Sequence, residues 1–67
     1  MEDLLSRLIN ERVELCDKLE KLANFIYSEN FNSVSPVQKT LLQIQYQSMV
    51  TYQYCLSERI SWLTIDK

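Results

Sequence analysis

Glycine and histidine are both absent from the 67 residues. Without glycine no loop can readily bring backbone N–H groups onto a phosphate in conformations with φ > 0, which excludes Walker and dinucleotide-binding loops. Without histidine the commonest general base and metal ligand is missing. The two cysteines, Cys16 and Cys55, are too few to assemble a zinc site without other soft ligands. The carboxylates are scattered along one face of the first half, so no converging acid/base pair emerges. Composition therefore predicts no catalytic residues, no metal ligands and no cofactor. The expectation is a protein that is not an enzyme.

Positive charge is also scarce. Seven Lys and Arg against nine Asp and Glu give a formal net charge of −2. Proteins that hold duplex nucleic acid by its phosphates carry a basic face, so no duplex partner is expected. Asp3, Arg7, Glu11 and Arg12 interrupt the N-terminal apolar positions, unlike a signal peptide. Thr40 to Ser57 is a stretch without any charge, but Gln43, Gln45, Gln47 and Gln53 with Ser48 and Thr51 would be costly in hydrocarbon. No membrane span is expected, and the cytoplasm, with reduced thiols, is the expected location.

An apolar fraction of 46% places the chain among folded proteins, as a single domain over residues 1–67. Leu5, Leu8, Leu15, Leu19, Leu22 and Ile26 recur at spacings of three and four, with Arg12 in the one gap. Ile9, Cys16 and Ala23 widen this stripe into the pattern of a core-facing helix, about residues 2–28. Asp3–Arg7, Glu14–Lys18 and Asp17–Lys21 are acid-before-base pairs four residues apart, suited to a solvated helix face. A polar connection over 29–35 follows. Ser35-Pro36-Val37-Gln38 then matches a capping box with proline at the first helical position. This opens a second helix, about residues 36–65.

So short a connection turns the second helix back antiparallel to the first. Leu42, Met49, Leu56 and Leu63 repeat every seven residues, and one register sets Leu22 near Leu42, Leu15 near Met49 and Leu8 near Leu56. The predicted fold is an all-α, antiparallel two-helix hairpin. Leu41, Ile44, Val50, Cys55, Ile60 and Trp62 lie off the repeat, and one partner helix leaves part of that surface uncovered. The hairpin is therefore expected to assemble into a homo-oligomeric helical bundle, with Val50, Tyr54 and Trp62 at contacts between protomers.

Arg12 falls on the core stripe and faces Tyr52 in this register, with Arg59 about two turns from that tyrosine. Two guanidinium groups and an aromatic ring on a buried seam suit a phosphate and a stacked base, so Arg12, Tyr52 and Arg59 are the candidate ligand-binding residues. The competing reading pairs Arg12 with a carboxylate such as Glu58, or lets it reach out to solvent. Gln38 and Gln45 read as hydrogen bonders between the helices, and both cysteines as small buried apolar residues.

Taken together, Arg12, Glu14-Leu15, Lys18-Leu19, Leu22, Phe25, Phe31, Gln38, Leu41-Leu42, Gln45, Met49, Tyr52, Leu56 and Arg59-Ile60 form a pattern covering nearly the whole chain. It resembles the helical-hairpin domain of phage anti-CBASS and anti-Thoeris nucleotide-sequestering proteins. The resemblance implies a homo-oligomer, a hexamer in known cases, that binds a cyclic nucleotide-type small molecule without cleaving it. It also implies a phage protein acting in the host bacterial cytoplasm. The residues with which those proteins grip their ligands are not matched here, so none is carried over. The alternative is a non-catalytic interaction module, a phage adaptor or inhibitor docked on a host protein.

Overall fold

The structure, a computed structural model, describes residues 3–65. It contains helix α1, Leu4–Ile26, a 3₁₀ turn, Glu29–Ser33, and helix α2, Pro36–Ile65; no strand occurs among the described residues. The two helices lie side by side along a body of 49 × 18 × 16 Å. The start of α1 shares a groove with the end of α2, and the end of α1 shares one with Gln43 and Tyr46 of α2. The hairpin is antiparallel.

Each helix start is capped by a short oxygen-bearing side chain. The Ser6 amide donates to Asp3 Oδ1 at 2.7 Å, which satisfies a backbone donor that has no partner within the helix. At α2 the Gln38 amide donates to Ser35 Oγ at 3.3 Å, while the Lys39 amide closes the first helical bond to Ser35 O at 2.9 Å. Of the three charge pairs, Asp17–Lys21 forms an ion pair at 3.1 Å, on a solvated face where it adds little.

The connection is more ordered than its polar composition suggests. Phe31 sets its ring edge-on to Phe25 at 6.1 Å, an arrangement that the aromatic quadrupole favours. The Lys39 ammonium lies 5.7 Å from the Phe31 ring centre. These contacts anchor the 3₁₀ turn between the helices, and the Ser28 hydroxyl donates to the freed Phe25 carbonyl at 2.7 Å.

Leu8, Leu15, Leu56 and Ile60 form the core, with Leu5, Met49 and Leu63 packed against it. Leu56, at 1% exposure, is its centre. Along α2 the residues that turn inward are Lys39, Leu42, Tyr46, Met49, Gln53, Leu56, Ile60 and Leu63, at alternating spacings of three and four. The opposite face carries a second row at the same alternation, from Val37 and Leu41 through Ile44 and Ser48 to Trp62 and Ile65, and it is exposed throughout. Thus α2 has two seams and α1 covers one of them.

Three expectations need correction. Gln38 and Gln45 are exposed rather than between the helices, because they sit one position off the inward row. Both cysteines are free thiols in exposed positions: Cys55 lies on the outward row of α2, and Cys16 lies just off the α1 stripe that Leu15 occupies. Ile9 is exposed as well, so the α1 stripe is narrower than the sequence implied. Among the described residues no helix is long and apolar enough to cross a membrane.

Candidate functional site

Arg12 extends the inward stripe of α1 between Leu8 and Leu15, where the residue is half-buried. Leucine would be the ordinary residue at that position. Among the described residues Arg12 forms no ion pair and no hydrogen bond through its guanidinium. The carboxylate expected to compete for it, Glu58, instead accepts from the Tyr54 hydroxyl of its own helix at 3.5 Å. The pairing of Arg12 with Glu58 does not form.

Arg59 stands at the other end of the seam. With Leu4, Leu8, Glu58, Trp62 and Leu63 it lines a groove of about 320 Å³ between the start of α1 and the end of α2. Arg59 too is without an ion pair among the described residues. Tyr52 is 45% exposed and stands seven residues before Arg59 on the same side of α2. Arg59 is thus the one sequence-selected residue that borders this groove; Arg12 lies one turn beyond its Leu8 wall, and Tyr52 lies outside it.

At the level of Arg12 and Tyr52 the inward row of α2 is occupied by Gln53. Its Oε1 is shielded from solvent and has no hydrogen-bond partner among the described residues. An acceptor left unmet in this way costs about 1–3 kcal/mol, so it marks a place where an N–H donor is wanted. The seven-residue repeat alone did not reveal Gln53. Alternation of four and three from Met49 to Leu56 passes through position 53, and a glutamine in a row of apolar residues was the available signal.

Two further grooves flank α2. One, of about 410 Å³, lies near the connection and is bounded by Ala23, Ile26, Tyr27, Gln43, Tyr46 and Gln47. The other, of about 380 Å³, runs along the outward face beside Ile44, Ser48 and Thr51. All three volumes sit near the lower end of the roughly 300–1,000 Å³ range of small-molecule sites. Trp62 and Arg59 border the first, Tyr27, Tyr46 and two glutamines the second, and hydroxyls and amides the third, so the first two offer stacking and all three hydrogen bonds.

Fold and site together define a small helical hairpin with open grooves along α2. A model of the Sequestin family matches residues 2–62, and the chain belongs to that family. It is 38% identical over 56 residues to an uncharacterized 7.5 kDa protein from the denB–rIIB intergenic region of Enterobacteria phage T4, covering 84% of this chain and 88% of that protein. No solved structure matches the chain. Membership of Sequestin suggests a sequestering protein of the phage kind, which implies binding a small molecule.

Proposed function

We propose that this chain is an oligomeric sponge that binds a nucleotide-derived immune signal, of the cyclic oligonucleotide or cyclic ADP-ribose type, and withholds it without cleavage. The observation that carries the reading is the pair of uncommitted guanidinium groups, Arg12 and Arg59, on or beside the helix seam. Keeping an arginine on a core stripe costs packing, and proteins tend to break local rules where function requires it. A guanidinium fork bonds two phosphate oxygens at once. Tyr52 supplies a ring for a base, and Gln53 Oε1 is an acceptor for a base N–H. The three grooves described above are open to solvent, so a neighbouring protomer would complete a site for a cyclic dinucleotide.

A panel of cyclic dinucleotides, cyclic trinucleotides and cyclic ADP-ribose isomers, screened by thermal shift, tests the proposal. One class should raise the melting temperature, and heating the complex should release that ligand intact by mass spectrometry. Recovery of a cleaved product would refute sequestration, and no shift with any member would refute the ligand class. The exposed apolar row of α2 favours one other reading, a module that docks on a host protein. In that case the panel stays silent and the row is covered by the host protein.

A further inference from the structure

The three grooves differ in how their polar groups are spent. On the outward face of α2 the hydroxyls of Thr40, Ser48 and Thr51 all donate to carbonyls of their own helix, at 3.0–3.2 Å. Beside Arg59 the Glu58 carboxylate accepts from Tyr54. The groove of about 410 Å³ near the connection is different. Tyr27, Gln43, Tyr46 and Gln47 line it, and among the described residues none of their side chains makes a hydrogen bond or a ring contact. No charged side chain lines it.

The walls follow from the sequence. Ala23 stands between Leu19 and Ile26 at the four-and-three spacing of the α1 stripe, and its methyl group leaves open the room that a leucine would fill. Gln43 and Gln47 are four residues apart, so they lie one above the other on a single face of α2. Tyr46 is half-buried on the inward row. Tyr27 ends α1 with its amide donating to Ala23 O at 3.1 Å, yet the residue is 86% exposed. One ring is held by the seam and the other is free to close over a guest.

The lining discriminates between guests. A phosphate or carboxylate finds no cation there, and enclosing it unpaired is costly. A saturated chain would strand the amides and hydroxyls. A planar heterocycle satisfies both kinds of wall, because its faces stack on tyrosine and its edge bonds to the amides. The edge chemistry narrows the class further. A glutamine amide both donates and accepts, so it pairs twice with adenine, donating to N7 and accepting from the 6-amino group. Guanine presents two acceptors on that edge and suits arginine, which this groove lacks.

We propose that this groove binds an adenine base, held between Tyr27 and Tyr46 and read by Gln43 or Gln47. The position is separate from Arg12 and Arg59, and Gln47 at its near edge stands about 8 Å along α2 from Tyr52. The base belongs either to a free nucleoside or to a nucleotide whose phosphates reach Arg12. The second source rests on the proposed sequestering role; the groove itself does not.

Titrating isotope-labelled protein with adenosine, which carries no phosphate, isolates the groove. The side-chain amide signals of Gln43 and Gln47 should move, and inosine, whose 6-oxo group cannot donate, should bind about tenfold more weakly. Ala23→Leu should abolish the shifts while leaving circular dichroism and sedimentation unchanged. Tyr27→Ala, at an exposed position that the fold does not depend on, should weaken adenosine about tenfold through lost stacking. Shifts confined to other residues, equal affinity for adenosine and inosine, or parent-like binding by Tyr27→Ala overturns the proposal. Cyclic diadenylate bound more tightly than adenosine, with the advantage lost in Arg12→Ala, identifies a nucleotide as the source of the base; equal binding identifies a free nucleoside. A nucleotide captured without any shift at Gln43 or Gln47 leaves the sponge standing and removes the groove. Adenosine bound by a protein on which the nucleotide panel stays silent removes the sponge and leaves the groove.

Discussion

Replacing Gln53 by methionine should make the protein more stable and a poorer binder. Gln53 occupies the inward row of α2 with an acceptor that is out of reach of water and unpaired among the described residues. Removing such an acceptor recovers about 1–3 kcal/mol. Since the residue as a whole is only half-buried, its other atoms keep some hydration that methionine gives up, and about 1 kcal/mol is the reasonable gain. Methionine matches glutamine closely in length and helix propensity, so neither packing nor the helix should suffer. For a domain of this size 1 kcal/mol corresponds to about 4–8 °C in melting temperature. Because assembly adds to apparent stability, parent and variant must be compared at one protomer concentration. Calorimetric titration of a nucleotide found by the panel should in turn show binding weakened by about 0.5–1.5 kcal/mol, the worth of one neutral hydrogen bond. An unchanged or lowered melting temperature would mean that Oε1 is satisfied in the free protein, and its role as a waiting acceptor would fall with it.

Arg12→Ala should weaken nucleotide binding by about 1.5–3 kcal/mol, the range for a hydrogen bond to a charged group, with an unchanged sedimentation coefficient; equal affinity would remove Arg12 from the site. Leu56→Ala, at the 1%-exposed centre of the core, should cost about 2–5 kcal/mol in a urea titration, enough to leave much of a 67-residue protein unfolded. Ser35→Ala should cost about 1 kcal/mol by the same assay through loss of the α2 cap, and a neutral result would show that the 3.3 Å contact carries no weight. Val50, 39% exposed on α2, is proposed to lie at a protomer contact; there Val50→Glu would bury a charge without a partner, so sedimentation should report dissociation or circular dichroism a loss of helix, and an unchanged assembly would remove Val50 from the contact.

Much of the hairpin could be read from local signals, since each depends on a few neighbouring residues. The start of α2 follows from Ser35 and Pro36, whose hydroxyl and fixed φ act within one turn. The α1 stripe follows from leucine spacing, and the burial of Leu8, Leu15 and Leu56 agrees with the register that joined them. The ordered 3₁₀ connection was less accessible, because Phe31 meets Phe25 across the turn and Lys39 from the next helix.

The sequence by itself determined that there are two helices, that α1 has one apolar side, and that the charge-free length of α2 is apolar on more than one face. The seven-residue repeat already named the inward side of α2 through Leu42, Met49, Leu56 and Leu63. Tertiary structure alone decided where that side ends, because the position of α1 fixes which neighbours of the repeat it covers. From that position come the exposure of Gln38, Gln45 and Cys55, the enclosure of Gln53, and the absence of a carboxylate on Arg12. Burial and partnership depend on what lies across the seam, and nothing within a single helix specifies it.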